Sequence, residues 1–189
     1  MKKLCVFCGS NSGAKPEYLA SAKALGKLLC EERIGLVYGG ASVGLMGVLA
    51  DTVLAGGGHV TGVIPQHLVA KEVAHQGLTD LRIVQSMHER KALMADLSDG
   101  FIAMPGGFGT LEEFCEVLTW SQLGLHTKPT GLLNTAGFYD QLLAWMDSAV
   151  QDQFIREGHR QIVLSSDEPR GLFKQMQEYR PSVVGKWLK

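Results

Sequence analysis

Two adjacent carboxylates, Glu112 and Glu113, follow directly on Met104-Pro105-Gly106-Gly107-Phe108-Gly109-Thr110-Leu111. Glycine permits positive φ and leaves backbone N–H groups bare, and a helix start adds unpaired N–H donors and the positive end of its dipole. The chemistry this predicts is anion binding by Gly106, Gly107, Gly109 and Thr110, with a phosphate as the natural occupant. A carboxylate one turn from a bound anion is electrostatically unfavourable unless it does something there. Thr110-x-x-Glu113 is also the spacing of a capping box, in which Thr110 caps the helix and Glu113 at N3 reaches back to the cap N–H. The case for catalysis by Glu113 therefore has to come from the rest of the chain.

Further candidates lie upstream. The stretch Gly39-Gly40-Ala41-Ser42-Val43-Gly44-Leu45-Met46-Gly47 is a second Gly-rich turn between an apolar run and a helical pattern. It is neither a P-loop, since no Lys-Ser/Thr pair follows Gly44, nor the strict dinucleotide fingerprint. Two such turns still carry weight, because a parallel α/β sheet gathers its strand-to-helix turns on one edge; tight turns without a ligand remain the alternative. Ser86-Met87-His88-Glu89-Arg90-Lys91 reads as a helix start with Ser86 at the N-cap and Glu89 at N3. Arg90 and Lys91 sit where the helix dipole disfavours cations, and such residues are commonly solvated surface charges. If that helix start faces the same edge, Arg90 can pair with a phosphate or orient Glu113.

The elements that must position these residues follow from periodicity. Strands are expected at Leu4–Phe7, Gly35–Tyr38, His59–Ile64, Leu81–Val84, Gly100–Met104, Pro129–Leu133 and Gln161–Leu164. Helices are expected from Pro16 to about Glu31, to Ala55, over Met87–Leu97, Leu111–Leu123, Tyr139 to about Phe154, and Pro169–Glu178, with Gln66–Thr79 irregular. This alternation, without repeats or low-complexity linkers, predicts an α/β doubly wound parallel sheet of about seven strands.

With 189 residues, 46% hydrophobic and 20% charged, the chain is sized for one domain over 1–189 that buries a full core. Net charge is −1, and no block of like charge extends beyond Lys2-Lys3, which argues against a polynucleotide partner. No apolar stretch is long enough to span a membrane, so a cytoplasmic location is expected. Cys5 and Cys8 form a Cys-x-x-Cys, but on a strand residues three apart face opposite ways, so neither a metal nor a redox role is expected. Val117, Leu118, Trp120, Leu123 and Leu125 run nearly all round their helix and its end, more than one core-facing stripe needs. Either that helix is wholly buried or one face meets a second subunit, and a homodimer is the expectation.

With Pro105-Gly106-Gly107-Phe108-Gly109-Thr110-Leu111-Glu112-Glu113 and Met87-His88-Glu89-Arg90-Lys91 in place, the chain resembles the Lonely guy family of cytokinin riboside 5′-monophosphate phosphoribohydrolases. The likeness extends to Cys8-Gly9-Ser10, the Gly39–Gly47 turn and Trp120-Ser121-Gln122-Leu123-Gly124. The resemblance implies a Rossmann-like fold, a homodimer, no cofactor, and hydrolysis of a nucleoside 5′-monophosphate to free base and ribose 5-phosphate. It makes Glu113 and Arg90 catalytic, and implies substrate binding by Ser10, Gly40, Gly44, Met87, Lys91, Gly106, Gly107, Gly109 and Thr110. A nucleotide carrier or sensor without turnover is the competing reading. Many relatives carry a lysine decarboxylase label, which would require a Schiff-base lysine; neither Lys91 nor Lys128 has a local context for one.

Overall fold

The computed structural model describes residues 1–69 and 74–181. Among these, seven strands form one sheet: β1 (Lys3–Phe7), β2 (Gly35–Tyr38), β3 (Val60–Pro65), β4 (Asp80–Val84), β5 (Phe101–Ala103), β6 (Thr130–Leu133) and β7 (Val163–Ser166). The helices are α1 (Pro16–Glu31), α2 (Gly44–Ala55), α3 (Met87–Asp96), α4 (Phe108–Gln122), α5 (Asp140–Gln151), α6 (Glu157–Arg160) and α7 (Pro169–Glu178). The strand order is β4-β3-β2-β1-β5-β6-β7 and every pairing is parallel. The expected doubly wound sheet is therefore present.

Because side chains alternate across a strand, each strand feeds both faces. Leu4, Val6 and Cys8 of β1 and its end pack with Leu25 and Leu29 of α1, Leu49 and Val53 of α2 and Leu172 of α7. Cys5 and Phe7 point the other way, toward Met94 of α3 and Val117 of α4, while Phe114 of α4 and Met146 of α5 cover Ala103 and Leu132. The Cys-x-x-Cys is thus split between two faces of the sheet, as the alternation requires.

Right-handed crossovers from β1 outward in the two directions lay helices on opposite faces. The chain order reverses at the β1–β5 pair, and a ligand crevice belongs there, beyond the carboxyl ends of these strands. At that point Gly9 laces three segments together: its N–H donates to the Pro105 carbonyl and its carbonyl accepts from the Leu45 N–H, both at 3.1 Å.

Some boundaries differ from expectation. The seventh strand begins two residues late, because Glu157–Arg160 forms a helical turn that continues through Gln161, and buried Ile162 leads into the strand. The irregular stretch Gln66–Thr79 opens with a 3-10 turn at Gln66–Leu68; residues 70–73 within it, and 182–189 of the expected 1–189 domain, lie outside the described residues.

The amino end of β1 is held by one carboxylate. Asp99 Oδ2 accepts the N–H groups of Lys2 and Lys3, and the first of these bonds is the main reason its pKa lies below 3.8. A depressed carboxyl pKa stabilises the fold above the unfolded value, and that contribution disappears as pH falls through the folded one. Asp99→Asn is expected to lose about 1 kcal/mol at neutral pH, the exposed site keeping it small. Urea unfolding of both proteins should show the difference closing as pH drops below 3.8.

Candidate active site

A cavity of about 290 Å³ opens at the predicted crevice. Its walls come from the end of β1 (Cys8, Gly9, Ser10), from Met46 of α2 and Leu68, from Met87 and Arg90 of α3, and from Gly107–Thr110, Glu112 and Glu113 around the start of α4. A second lobe of about 200 Å³ shares Gly9, Ser10 and Gly107 and continues over Gly106 toward Tyr18 and Phe138.

Helix α4 starts three residues earlier than expected. Gly107 is its N-cap with φ −96°, and no side chain caps it. The capping box is therefore not formed: Thr110 is the third helical residue and buried, and Glu113 lies in the second turn. Capping cannot account for Glu113. The expected positive φ is also absent at Gly106, Gly107 and Gly109, since an extended N-cap carries the strand into the helix without a left-handed residue. These glycines supply space. A Cβ on Gly106 would meet Thr110 Oγ1 at 2.2 Å, whereas at Gly107 and Gly109 it would meet open space. The first N–H groups of α4 consequently face the cavity with little shielding.

The helix that carries Arg90 does have its box: Ser86 Oγ accepts the Glu89 N–H at 3.1 Å, and Glu89 Oε2 accepts the Gln85 N–H at 2.7 Å. Arg90 follows on the second turn and is 6% exposed, so it is not the solvated charge its position would suggest. Its Nη2 donates to the Gly39 carbonyl at 3.2 Å and its Nη1 to Met87 Sδ at 3.7 Å, while Nε has no partner among the described residues. Gly39 makes room for this guanidinium, because a Cβ there would stand 2.1 Å from Nη2. Each Nη also keeps a second N–H, and a buried cation with such donors, lining a cavity, is suited to a ligand oxygen.

Glu113 lines the same cavity, and the fields of both residues meet at β1. Burial raises the Cys5 thiol pKa well above 9.0, Glu113 raises it further, and Arg90 opposes. Burial and then Glu113 likewise push Cys8 far up. The thiol at the cavity wall is therefore neutral, which excludes a thiolate nucleophile.

Of the expected site residues, Ser10, Met87, Arg90, Gly107, Gly109, Thr110 and Glu113 come together in the main cavity, and Gly106 lines the second lobe. Gly40 and Gly44 stand behind the walls. The Gly40 carbonyl accepts the His75 N–H, and Gly44, at φ +60°, backs so closely onto Ser10 that a Cβ would lie 2.3 Å from the Ser10 carbonyl carbon. That turn reaches the cavities through Leu45 and Met46 instead. The Lys91 ammonium lies on Glu112 and Glu116 and does not line either lobe. Cys8, Met46, Leu68 and Phe108 were not among the expected site residues; Cys8 and Phe108 lie inside the motifs, while Leu68 carries no sequence signal.

A doubly wound parallel sheet with a bare helix start at its switch point defines a nucleotide-binding type of α/β protein. Solved structures agree in fold: a molybdenum cofactor binding protein from Rippkaea orientalis has a TM-score of 0.70 at 22% identity, covering 94% of this chain and 97% of that one. The molybdenum cofactor carrier protein of Chlamydomonas reinhardtii has a TM-score of 0.69 at 19% identity, covering 94% and 96%. Closer in sequence is a cytokinin riboside 5′-monophosphate phosphoribohydrolase of Arabidopsis thaliana, 51% identical over 95% of this chain and 83% of its own length. One from Oryza sativa subsp. japonica is also 51% identical, over 95% and 74%. The family model described as possible lysine decarboxylase matches residues 46–176. The chain belongs to this Lonely guy family of cytokinin riboside 5′-monophosphate phosphoribohydrolases. Neither Lys91 nor Lys128 supports the decarboxylase description: Lys91 is ion-paired, and the Lys128 ammonium lies over the Phe101 ring and donates to the Ala95 carbonyl.

Gly39→Ala tests the placement of Arg90. The new methyl must displace the guanidinium, and a shift of about 1 Å at a reacting site costs on the order of a hundredfold in rate. Turnover should fall by about that much. Far-UV circular dichroism should match the native protein, since the collision is with the far end of one side chain.

Proposed function

We propose that the chain hydrolyses the N-glycosidic bond of adenosine-type cytokinin riboside 5′-monophosphates, releasing free base and ribose 5-phosphate. The observation that carries this reading is the convergence of Arg90 and Glu113 on one cavity at the bare start of α4. The N–H groups of Phe108, Gly109 and Thr110 and the helix dipole hold the 5′-phosphate, and Ser10 closes over it. Binding energy from this remote group orients the ribose. As the bond breaks, the electron pair leaves with the base nitrogen and C1′ becomes oxocarbenium-like; one water molecule completes the hydrolysis, its hydroxyl joining C1′ and its remaining proton ending on the base nitrogen. The Glu113 carboxylate stabilises that positive charge, and Arg90, which uses one N–H of each Nη within the protein, holds a substrate oxygen with a second Nη N–H.

The reading extends to a homodimer acting on a small nucleotide in the cytoplasm, without cofactor or nucleic-acid partner. Phe108, Leu123 and Leu125, on and just beyond α4, are 95%, 45% and 70% exposed. Leu123 and Leu125, apolar and exposed together at the carboxyl end of α4, support burial against a second copy. Sedimentation equilibrium at micromolar concentration should then return twice the 20.5 kDa chain mass.

The direct test is chromatographic detection of free base from AMP and from isopentenyladenosine monophosphate. The native protein should release base from at least one, Glu113→Gln should lose on the order of a thousandfold, and the matching nucleosides without phosphate should be poor substrates. Binding of both nucleotides by the native protein without release of base would replace the hydrolase with a carrier.

A further inference from the structure

Helix α4 carries three carboxylates within five residues, Glu112, Glu113 and Glu116, and Glu113 lies between the other two. Across from them, α3 carries Arg90 and Lys91 side by side. The Lys91 ammonium lies 2.5 Å from Glu112 Oε1 and 3.1 Å from Glu116 Oε2, and its side chain is only 10% exposed. Helices α3 and α4 each pack chiefly on strands, α3 on β3 and β4 and α4 on β1 and β5. Further along, Met94 of α3 and Val117 of α4 share one apolar cluster, and nearer the helix starts Lys91 bridges the two.

Resting on the hydrolase reading above, we propose that Lys91 is a positioning residue: by pairing with both flanking carboxylates it ties α3 to α4 and keeps Glu113 ionised opposite Arg90. Each partner of this pair of links is the chain neighbour, or the next-turn neighbour, of a reacting residue. A slip between Lys91 and Glu112 is therefore a slip between Arg90 and Glu113. The charges matter as much as the tie. Glu113 is faced by Arg90 from α3, by the neutral thiols of Cys5 and Cys8 from β1, and by Glu112 and Glu116 along its own helix. Without Lys91, two uncompensated negative charges would stand beside it, and like charges disfavour a second ionisation. Partial desolvation pulls the Lys91 pKa down, but its pairing with Glu112 and Glu116 outweighs this and raises it above 10.5, so the cation persists at neutral pH.

The test is the pH dependence of base release from isopentenyladenosine monophosphate by the native protein, Lys91→Met, Lys91→Arg and the double variant Glu112→Gln with Glu116→Gln. Lys91→Met should lower kcat about tenfold with KM within about twofold, and move the acid limb of kcat up by about one pH unit. Lys91→Arg, which keeps the charge and the reach, should recover most of kcat and the native limb. The double variant breaks the same links but also removes the extra negative charges, so kcat should fall while the acid limb does not rise. It also keeps the inference testable if Lys91→Met does not fold. A raised KM with kcat unchanged in Lys91→Met would make Lys91 a direct substrate ligand and overturn the proposal. Native kcat in the double variant, or an unmoved acid limb in Lys91→Met, would overturn it equally. Failure of the native protein itself to release base would count against the hydrolase reading instead.

Discussion

A guanidinium that is 6% exposed is the interaction on which this site depends. Withdrawing an ion from water costs several kcal/mol even after the surroundings relax, so the chain must supply compensation close by. It does so with three elements from different parts of the sequence. The Gly39 carbonyl at the end of β2 accepts one N–H, Met87 at the start of α3 offers a polarisable sulfur, and α4 brings the negative charge of Glu113 to the same cavity. Two of the five guanidinium N–H groups are used in this way, one on each Nη, and Nε is enclosed without a partner among the described residues. A fully satisfied guanidinium would gain little from a substrate oxygen, and this one is not fully satisfied.

The scaffold makes this convergence possible through Gly9. Its peptide bonds on one side to the segment after β5 and on the other to the turn after β2, so three loops at the switch point move as one body. The glycines around it contribute by what they lack. Gly39 leaves space for Arg90, Gly44 for the Ser10 backbone, and Gly106 for Thr110. Tyr139 closes the arrangement from below: its buried hydroxyl donates to the Met104 carbonyl at 2.7 Å, fixing the last peptide before the Pro105–Gly109 turn.

Most strands were legible because parallel strands buried on both faces read as short apolar runs between glycines and prolines. The α3 start was legible for a local reason, since Ser86 and Glu89 lie within one turn and their capping box forms. The α4 start was not. Thr110 and Glu113 have the right spacing for a box, but the helix begins at Phe108, where bare N–H groups face the cavity, and the spacing is coincidental. The burial of Arg90 and the partners of Lys91 were equally out of reach. Both depend on residues some twenty to fifty positions away, Glu112 in one case and Gly39 in the other, and periodicity carries no information about such pairs. Likewise, periodicity does not say which residues of the Gly39–Gly47 turn line the cavities; Leu45 and Met46 do.

The fold does not decide between hydrolysis and carriage, because solved structures with this sheet include proteins described as molybdenum cofactor carriers. The relatives close in sequence are phosphoribohydrolases, and on the proposed reading the placement of charge points the same way. A carrier for an anion is best served by donors and cations alone, and a carboxylate near the bound anion weakens it. Here Glu113 is neither a cap nor a surface charge, since it sits in the second turn of α4 and lines the cavity with Arg90. On the proposed reading, such a residue would lower the affinity for a phosphate and stabilise a cation a few ångströms from it. Glycosidic cleavage in a nucleoside monophosphate generates a cation at that remove from a phosphate, so the arrangement is unfavourable for the ground state and favourable for the transition state.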